Sequence, residues 1–238
     1  FYYDVLPFFA KHIRKIELLH NFTYGKKGME FFGLANYRYL DKRLVIDAYT
    51  EKNIKEQYQE YNIDASYAER VQLVEFGVSM PAQLKKDYDL PLKILNAGRG
   101  GIQQRIWLVS RVTENFIDQG LPVQFHFAGP MVSELSEKVK ANSIVYNEIS
   151  DKEELNRVYK HCHAIILTSS FEGFPMVIKE SMAFGCIPIV TALPGNKTHL
   201  SHLSNSLLIE SIEDEEIVVE QAINNIKLLI EAPDLIRK

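Results

Sequence analysis

The 238-residue chain has only two cysteines and one tryptophan, and neither charge sign is in large excess: 27 basic against 31 acidic side chains, a net charge of −4. Each shortage removes a class of protein. Cys162 and Cys186 lie in or beside apolar runs, which fits reduced core thiols better than a disulfide framework or a metal pair. A slightly acidic balance argues against a nucleic-acid partner. No apolar run approaches the roughly 20 residues that cross a bilayer. No His/Cys/Asp/Glu cluster has zinc spacing, so no metal is expected. The first nine residues, Phe1 to Phe9, are aromatic but lack the basic start and small-residue cleavage site of a signal peptide. The chain opens on Phe rather than Met, which fits a piece of a longer protein. No glycine run has the G-x-G-x-x-G order, and neither internal repeats nor low-complexity tracts are present.

What remains is an ordinary globular composition, 46% hydrophobic and 24% charged, enough to build a core. Apolar runs alternate with helix-like runs almost throughout, the pattern of parallel sheets covered on both faces. Lys15–Asn21, Arg43–Asp47 and Arg70–Glu75 read as strands. Gly25–Gly28 reads as a loop, and Thr50 as the cap of a helix from Glu51 to about Tyr61. Residues 76–92 carry Gly and two Pro and read as a connection. A fresh alternation begins at Leu92: strands at Lys93–Ala97, Val123–Ala128, Ile144–Tyr146, Ala164–Ser169, Ile187–Thr191 and Ser206–Glu210. Helices are expected over about 103–118, 133–141, 150–160, 176–184 and 211–231, the third and last opened by the capping-box spacings Ser150–Glu153 and Ser211–Asp214. Six strands make one complete doubly wound domain. The fold class is therefore α/β, with a partial unit over 1–76, a linker over 77–91 and a complete Rossmann-like domain over 92–238.

Two stretches carry chemistry. Glu172-Gly-Phe-Pro-Met-Val-Ile-Lys-Glu180 stands between two strand-like runs. Pro175 fits the first position of a helix, where a missing N–H costs nothing. The N–H groups of Phe174, Met176 and Val177 then attract an anion. Glu172 beside a bound diphosphate needs a neutral hydroxyl to receive it, which a sugar supplies. Glu180, further along the helix, suits a ribose. The second stretch is Gly98-Arg-Gly-Gly-Ile-Gln-Gln-Arg105. Its glycines let the backbone approach a ligand, and Arg99 and Arg105 suit a diphosphate.

With Asn96–Arg99, Phe125–Gly129, Ser150–Leu155, Ser169–Pro175, Glu180 and Ala183–Thr191, these stretches resemble the donor-binding domain of retaining glycosyltransferases of the GT-B fold, the glycosyl transferases group 1 (family 4) type. The resemblance implies that Glu172 contacts the donor sugar and Glu180 the ribose, while backbone N–H groups at Phe174 to Met176 hold the diphosphate and Gly173 and Pro175 belong to the same donor-binding loop. It places Gly98 and Gln104 beside the donor and Tyr146 and Asn147 at the base. The first 75 residues resemble the second half of the acceptor-side domain, with His20 facing the donor sugar. Two departures stand out: Gln104 where the family has Lys, and Pro194-Gly195-Asn196 where it has a Gly-Gly loop. Asp87-Tyr-Asp89 imitates the metal signature of a different glycosyltransferase fold but falls in the expected linker, where a solvated turn is the stronger reading.

The function this implies is transfer of a sugar from a nucleotide diphosphate, UDP first, with retention of configuration and without a metal cofactor. The implied setting is cytoplasmic polysaccharide biosynthesis. Members of the family work at the inner membrane face on glycan or lipid-linked acceptors, so peripheral membrane association is part of the expectation. A nucleotide-sugar epimerase or a phosphorylase-like enzyme on the same architecture, and a non-enzymatic nucleotide-sugar-binding domain, stay open beside it. The basic residues Lys11, Arg14, Lys15, Lys26 and Lys27 read as a solvated face.

Overall fold

The computed structural model describes residues 2–20, 22, 28–86 and 89–232. Asn21 of the first expected strand, Gly25, Lys26 and Lys27, and Asp87 of the D-x-D lie outside the described residues. The chain divides into two compact units. The first is Phe1–Gly77 together with Glu172–Phe174 and Pro194–His199; the second is Val78–Phe171, Pro175–Leu193 and Leu200–Lys238.

The first unit carries strands β1 (Ile16–Leu19), β2 (Lys42–Val45) and β3 (Val71–Leu73). Its helices are α1 (Tyr2–Val5), α2 (Met29–Leu34), α3 (Ala48–Glu60), α4 (Ala65–Ala68) and, much later in the chain, α9 (Pro194–Lys197). The sheet is parallel in the order β1-β2-β3. Helix α3 turns Ile54 and Tyr58, four residues apart and so on one face, into a core with Leu19, Val45 and Val71. It starts three residues earlier than Thr50 and Glu51 suggest. Asp47 is the cap: its Oδ1 accepts the Thr50 N–H at 2.7 Å and its Oδ2 the Thr50 hydroxyl at 2.9 Å.

The second unit carries β4 (Leu92–Ala97), β5 (Val123–Ala128), β6 (Ile144–Tyr146), β7 (Ala164–Leu167), β8 (Ile187–Thr191) and β9 (Leu207–Ile209). Its helices are α5 (Ile106–Gln119), α6 (Glu137–Ala141), α7 (Lys152–His161), α8 (Met176–Ala183) and α10 (Glu215–Glu231). All six strands are parallel, in the order β6-β5-β4-β7-β8-β9. Ile94 of β4 aligns with Phe125 on one side and Ala164 on the other. Alternate residues feed two cores: Ile94, Phe125, Phe127 and Ile166 pack with residues of α5 and α10. Leu95, Ala97 and Ala128 pack instead with Val158, Tyr159 and Cys162 around α7, and with Cys186. Each fully buried Leu, Ile or Phe contributes roughly 1.5–3 kcal/mol, and burial on both faces is why the strands read as unbroken apolar runs.

Two expected helices differ in detail. The 133–141 helix is a 3-10 turn over Pro130–Glu134 followed by α6, which Ser136 caps. The 103–118 helix starts at Ile106, because Arg105 takes a left-handed conformation, φ 49°. Described residues of the expected linker from Val78 onward belong to the second unit. Lys86 anchors them: its ammonium donates to the main-chain oxygens of Phe184 at 2.7 Å and Tyr159 at 3.3 Å and lies 3.3 Å from Cys186 Sγ.

Candidate functional site

In a doubly wound sheet the strand order reverses at one place, and the crevice outside the carboxyl ends of the two strands there is where ligands bind. Here that place lies between β4 and β7. The Gly98–Arg105 turn leaves β4, and the Thr168–Pro175 loop leaves β7. Main chain ties the two together. The Ser170 N–H donates to Gln103 O at 2.9 Å, and Gln103 Nε2 donates to Phe171 O at 2.9 Å.

The turn has the shape that its glycines allow. Gly100 and Gly101 have φ of 83° and 85°, the left-handed region that favours glycine. Their N–H groups both meet side-chain oxygens: Gln104 Oε1 accepts from Gly100 at 2.7 Å, and Glu134 Oε1 from Gly101 at 2.8 Å. Gln104 also fills the space where a Cβ on Gly98 would lie, its Nε2 2.7 Å away. The position expected to carry a lysine is therefore a neutral brace of the turn. Arg99 is exposed and pairs with no acidic side chain among the described residues.

Arg105 is not placed as the sequence suggests. It is 5% exposed. Its Nε donates to Thr168 O at 2.7 Å, Nη1 to Ile212 O at 2.6 Å and Nη2 to Ser169 O at 3.4 Å. Burial lowers its pKa against the opposing charges of Glu215 and Glu213, yet a guanidinium stays charged at neutral pH. As the left-handed cap of α5 it turns back onto main-chain carbonyls. It is a cross-brace rather than a diphosphate contact, which leaves Arg99 as the turn's cation.

Pro175 stands at the N-cap of α8, one position before the first helical place expected for it, and the helix itself begins at Met176. Its carbonyl accepts the Ile178 N–H at 3.0 Å. Among the described residues nothing accepts the N–H groups of Met176 and Val177, so these amides and the positive end of the helix dipole face outward. Glu180 follows on the same helix, half-buried, and its Oε2 accepts the Tyr159 hydroxyl at 3.1 Å.

Tyr146 ends β6 and stacks on His126, with ring centroids 6.0 Å apart and planes at 18°. His126 Nε2 lies 3.1 Å from Gln124 Oε1, and Nδ1 lies 3.2 Å from the Tyr146 hydroxyl. The tautomer with the proton on Nε2 satisfies both contacts: it donates to Gln124 and accepts from Tyr146. Burial, with the nearby His161, Lys93 and His163, pushes the His126 pKa down to about 4. It is neutral at pH 7. Asn147 is exposed beside this pair.

Four expected residues, His20, Glu172, Gly173 and Phe174, belong to the first unit. A Cβ on Gly173 would overlap the His20 carbonyl oxygen and lie 3.3 Å from Asp47 Oδ2, and one on Gly195 would overlap the Gly173 carbonyl. Phe174 is buried and stacks on His199 at 4.5 Å. The exposed ring of His20 stacks on Phe76 at 6.2 Å, and Glu172 is half-exposed. A separate groove of about 320 Å³, lined by Met80, Pro81, Asn156, Arg157, Lys160 and Phe184 among others, contains none of the expected site residues. Sequence reasoning missed Tyr159, His126, Glu134 and Lys86. Only His126 left a trace, as a polar residue at an inward position of an apolar strand.

A parallel doubly wound domain with a glycine turn and an open helix N-terminus at its switch point has the architecture on which many nucleotide-binding proteins are built. Residues 83–235 match the family model for glycosyl transferases group 1, and the chain belongs to that family. A Haemophilus influenzae protein described as an uncharacterized glycosyltransferase is 35% identical over 92 residues, 37% of this chain and 26% of that protein. The fold is that of GT-B glycosyltransferases. A TarM mutant from S. aureus, crystallised with Fondaparinux, alpha-GlcNAc-glycerol and UDP, superposes with a TM-score of 0.73 at 14% identity, over 99% of this chain and 49% of that one. The pneumococcal O-GlcNAc transferase GtfA, in complex with UDP and GlcNAc, gives 0.72 at 16% identity over 93% and 46%. Anabaena HepE, with UDP and glucose, gives 0.68 at 14% over 93% and 63%. The chain thus spans about half the length of these structures. No helix among the described residues is long and apolar enough to cross a membrane.

Proposed function

We propose that the chain is the donor-handling part of a retaining glycosyltransferase that moves a sugar from a nucleotide diphosphate, UDP first, to a glycan or lipid-linked acceptor. One observation carries this reading: at the β4/β7 switch point an exposed Arg99 accompanies a helix start, α8, whose Met176 and Val177 amides lack acceptors. The family's neighbours crystallised with UDP support the same nucleotide.

The chemistry follows from charge. Departure of the sugar leaves growing negative charge on the diphosphate, and fixed positive ends lower the barrier because they need no reorganisation. Arg99 and the α8 amides are those ends, so the reading needs no metal ion. Glu172 and His20 take the sugar, Glu180 the ribose, and Tyr146 with Asn147 the base. Retention follows from attack on the face that the phosphate leaves, with a phosphate oxygen accepting the acceptor's proton. A second carboxylate at glycosidase spacing is then unnecessary.

The test is transfer by the intact protein from a panel of UDP- and GDP-sugars, with the anomeric configuration of the product read by NMR. Retained configuration and a loss of at least a hundredfold in Glu172→Ala are expected; normal transfer by that variant overturns the assignment. A second reading rests on Gln104. A neutral brace where the family has a cation favours a domain that binds nucleotide sugar without turning it over, and UDP affinity without product under every donor would establish it.

A further inference from the structure

Glu180 is a half-buried carboxylate on a helix, and one of its oxygens is already engaged. Tyr159, on α7, is 1% exposed. Its ring sits among Leu95, Val158 and Cys186, 6.1 Å from the ring of Phe184. A buried tyrosine hydroxyl needs a partner, and this one donates to Glu180 Oε2 at 3.1 Å. Burial, then the negative charge of Glu180, pushes the phenol's pKa far above its ordinary value, so it remains a donor. Glu180 Oε1 has no partner among the described residues.

Both ends of this link are fixed by one ammonium. Lys86 donates to the Tyr159 main-chain oxygen at 3.3 Å and to that of Phe184, the C-cap of α8, at 2.7 Å. Cys186 Sγ adds a bond to the Tyr159 oxygen at 3.2 Å. The α7 residue that holds the carboxylate and the helix that bears it are thus locked together. A glutamate otherwise loses rotamer freedom on binding, and holding it beforehand lowers that cost.

We propose that Tyr159 is a positioning residue: its hydroxyl clamps one oxygen of Glu180 and so presents the other to vicinal hydroxyls of the bound nucleotide's ribose. This rests on the reading that Glu180 faces the ribose. The role differs from a simple tie between helices, because a tie stabilises the fold without altering how strongly the site feels a ribose hydroxyl.

Calorimetry on the intact protein separates these roles with two ligands, UDP and 2′,3′-dideoxy-UDP, and three forms: wild type, Tyr159→Phe and Phe184→Leu. Wild type is expected to prefer UDP by about ten- to a hundredfold, the value of one or two hydrogen bonds to a charged group. Tyr159→Phe keeps the ring, so its core packing survives, and its preference is expected to shrink about fivefold or more. Phe184→Leu loosens the same core while leaving the hydroxyl, and its preference is expected to stay at the wild-type value even as its melting temperature falls. Undiminished preference in Tyr159→Phe, or equal shrinkage in Phe184→Leu, overturns the positioning role while leaving the ribose reading intact. Equal affinity of wild type for both ligands, or no binding of either, overturns the ribose reading and the inference with it.

Discussion

Arg105 Nε donates to the main-chain oxygen of Thr168 at 2.7 Å, and the Thr168 hydroxyl returns a bond to the main-chain oxygen of Arg105 at 3.1 Å. This reciprocal pair joins the turn after β4 to the loop after β7. With the Ile212 contact it fastens three segments that are far apart in sequence. Arg105→Met leaves buried carbonyls without donors, each costing about 1–3 kcal/mol. A loss of about 3 kcal/mol is expected, or roughly 6–12 °C in melting temperature for a chain of this size, read by thermal denaturation. Arg105→Lys keeps the charge but not the fork and should fall between.

Glu134 places a carboxylate on the Gly101 amide, beside the turn that is proposed to meet a diphosphate. Glu134→Gln keeps a side-chain oxygen for that amide and removes the charge. UDP affinity should rise several-fold at low salt, and the gain should fade as ionic strength grows, because exposed charges are screened. Titration calorimetry at two salt concentrations measures both.

His126 is buried and neutral, with a pKa of about 4 in the fold against about 6.5 when unfolded. Between those values the unfolded chain binds more protons, so stability rises with pH. The contribution is complete above about pH 6.5 and is lost as the pH falls towards 4. His161, lowered by burial and by Lys93 and Lys86, acts in the same direction. Denaturant midpoints taken from pH 7 to 4.5 should fall, and His126→Phe, which keeps a ring against Tyr146, should flatten that slope.

Gly173 has no room for a side chain, since main-chain oxygen from His20 occupies the place of its Cβ. A carbonyl cannot rotate away as a flexible side chain can. Gly173→Ala should destabilise by about 1–3 kcal/mol, as overpacking does, and should lower transfer by the intact protein even under conditions where it is folded. Chemical denaturation and a donor-turnover assay check the two halves.

The alternation of elements was legible because doubly covered parallel strands leave continuous apolar runs, as in Ala164–Leu167. Helix starts were read less well. Thr50 and Ser150 looked like caps, but the acids at Asp47 and Asp151 accept the first-turn amides. At α10, Asp214, the last residue of the Ser211–Asp214 pattern, does so itself. An Asp and a nearby Ser or Thr offer the same acceptor chemistry, so local sequence does not rank them. The candidate site was legible where chemistry follows from spacing, as with Arg99 and the Pro175 helix start. It was illegible where a role depends on a remote partner. Arg105 reads as a free cation until Ile212, 107 residues away, takes its Nη1. Tyr159 gives no sign of its bond to Glu180, 21 residues on.

The stitching of the β4 and β7 loops relies largely on peptide groups: Ser170 N–H to Gln103 O, Arg105 to the Thr168 and Ser169 carbonyls. Peptide groups are the same whatever residue carries them. The side chain of Ile102, 84% exposed, projects from the turn without anchoring it. Outward side chains of this kind can therefore change in evolution while the main-chain framework that joins the two loops is inherited unchanged.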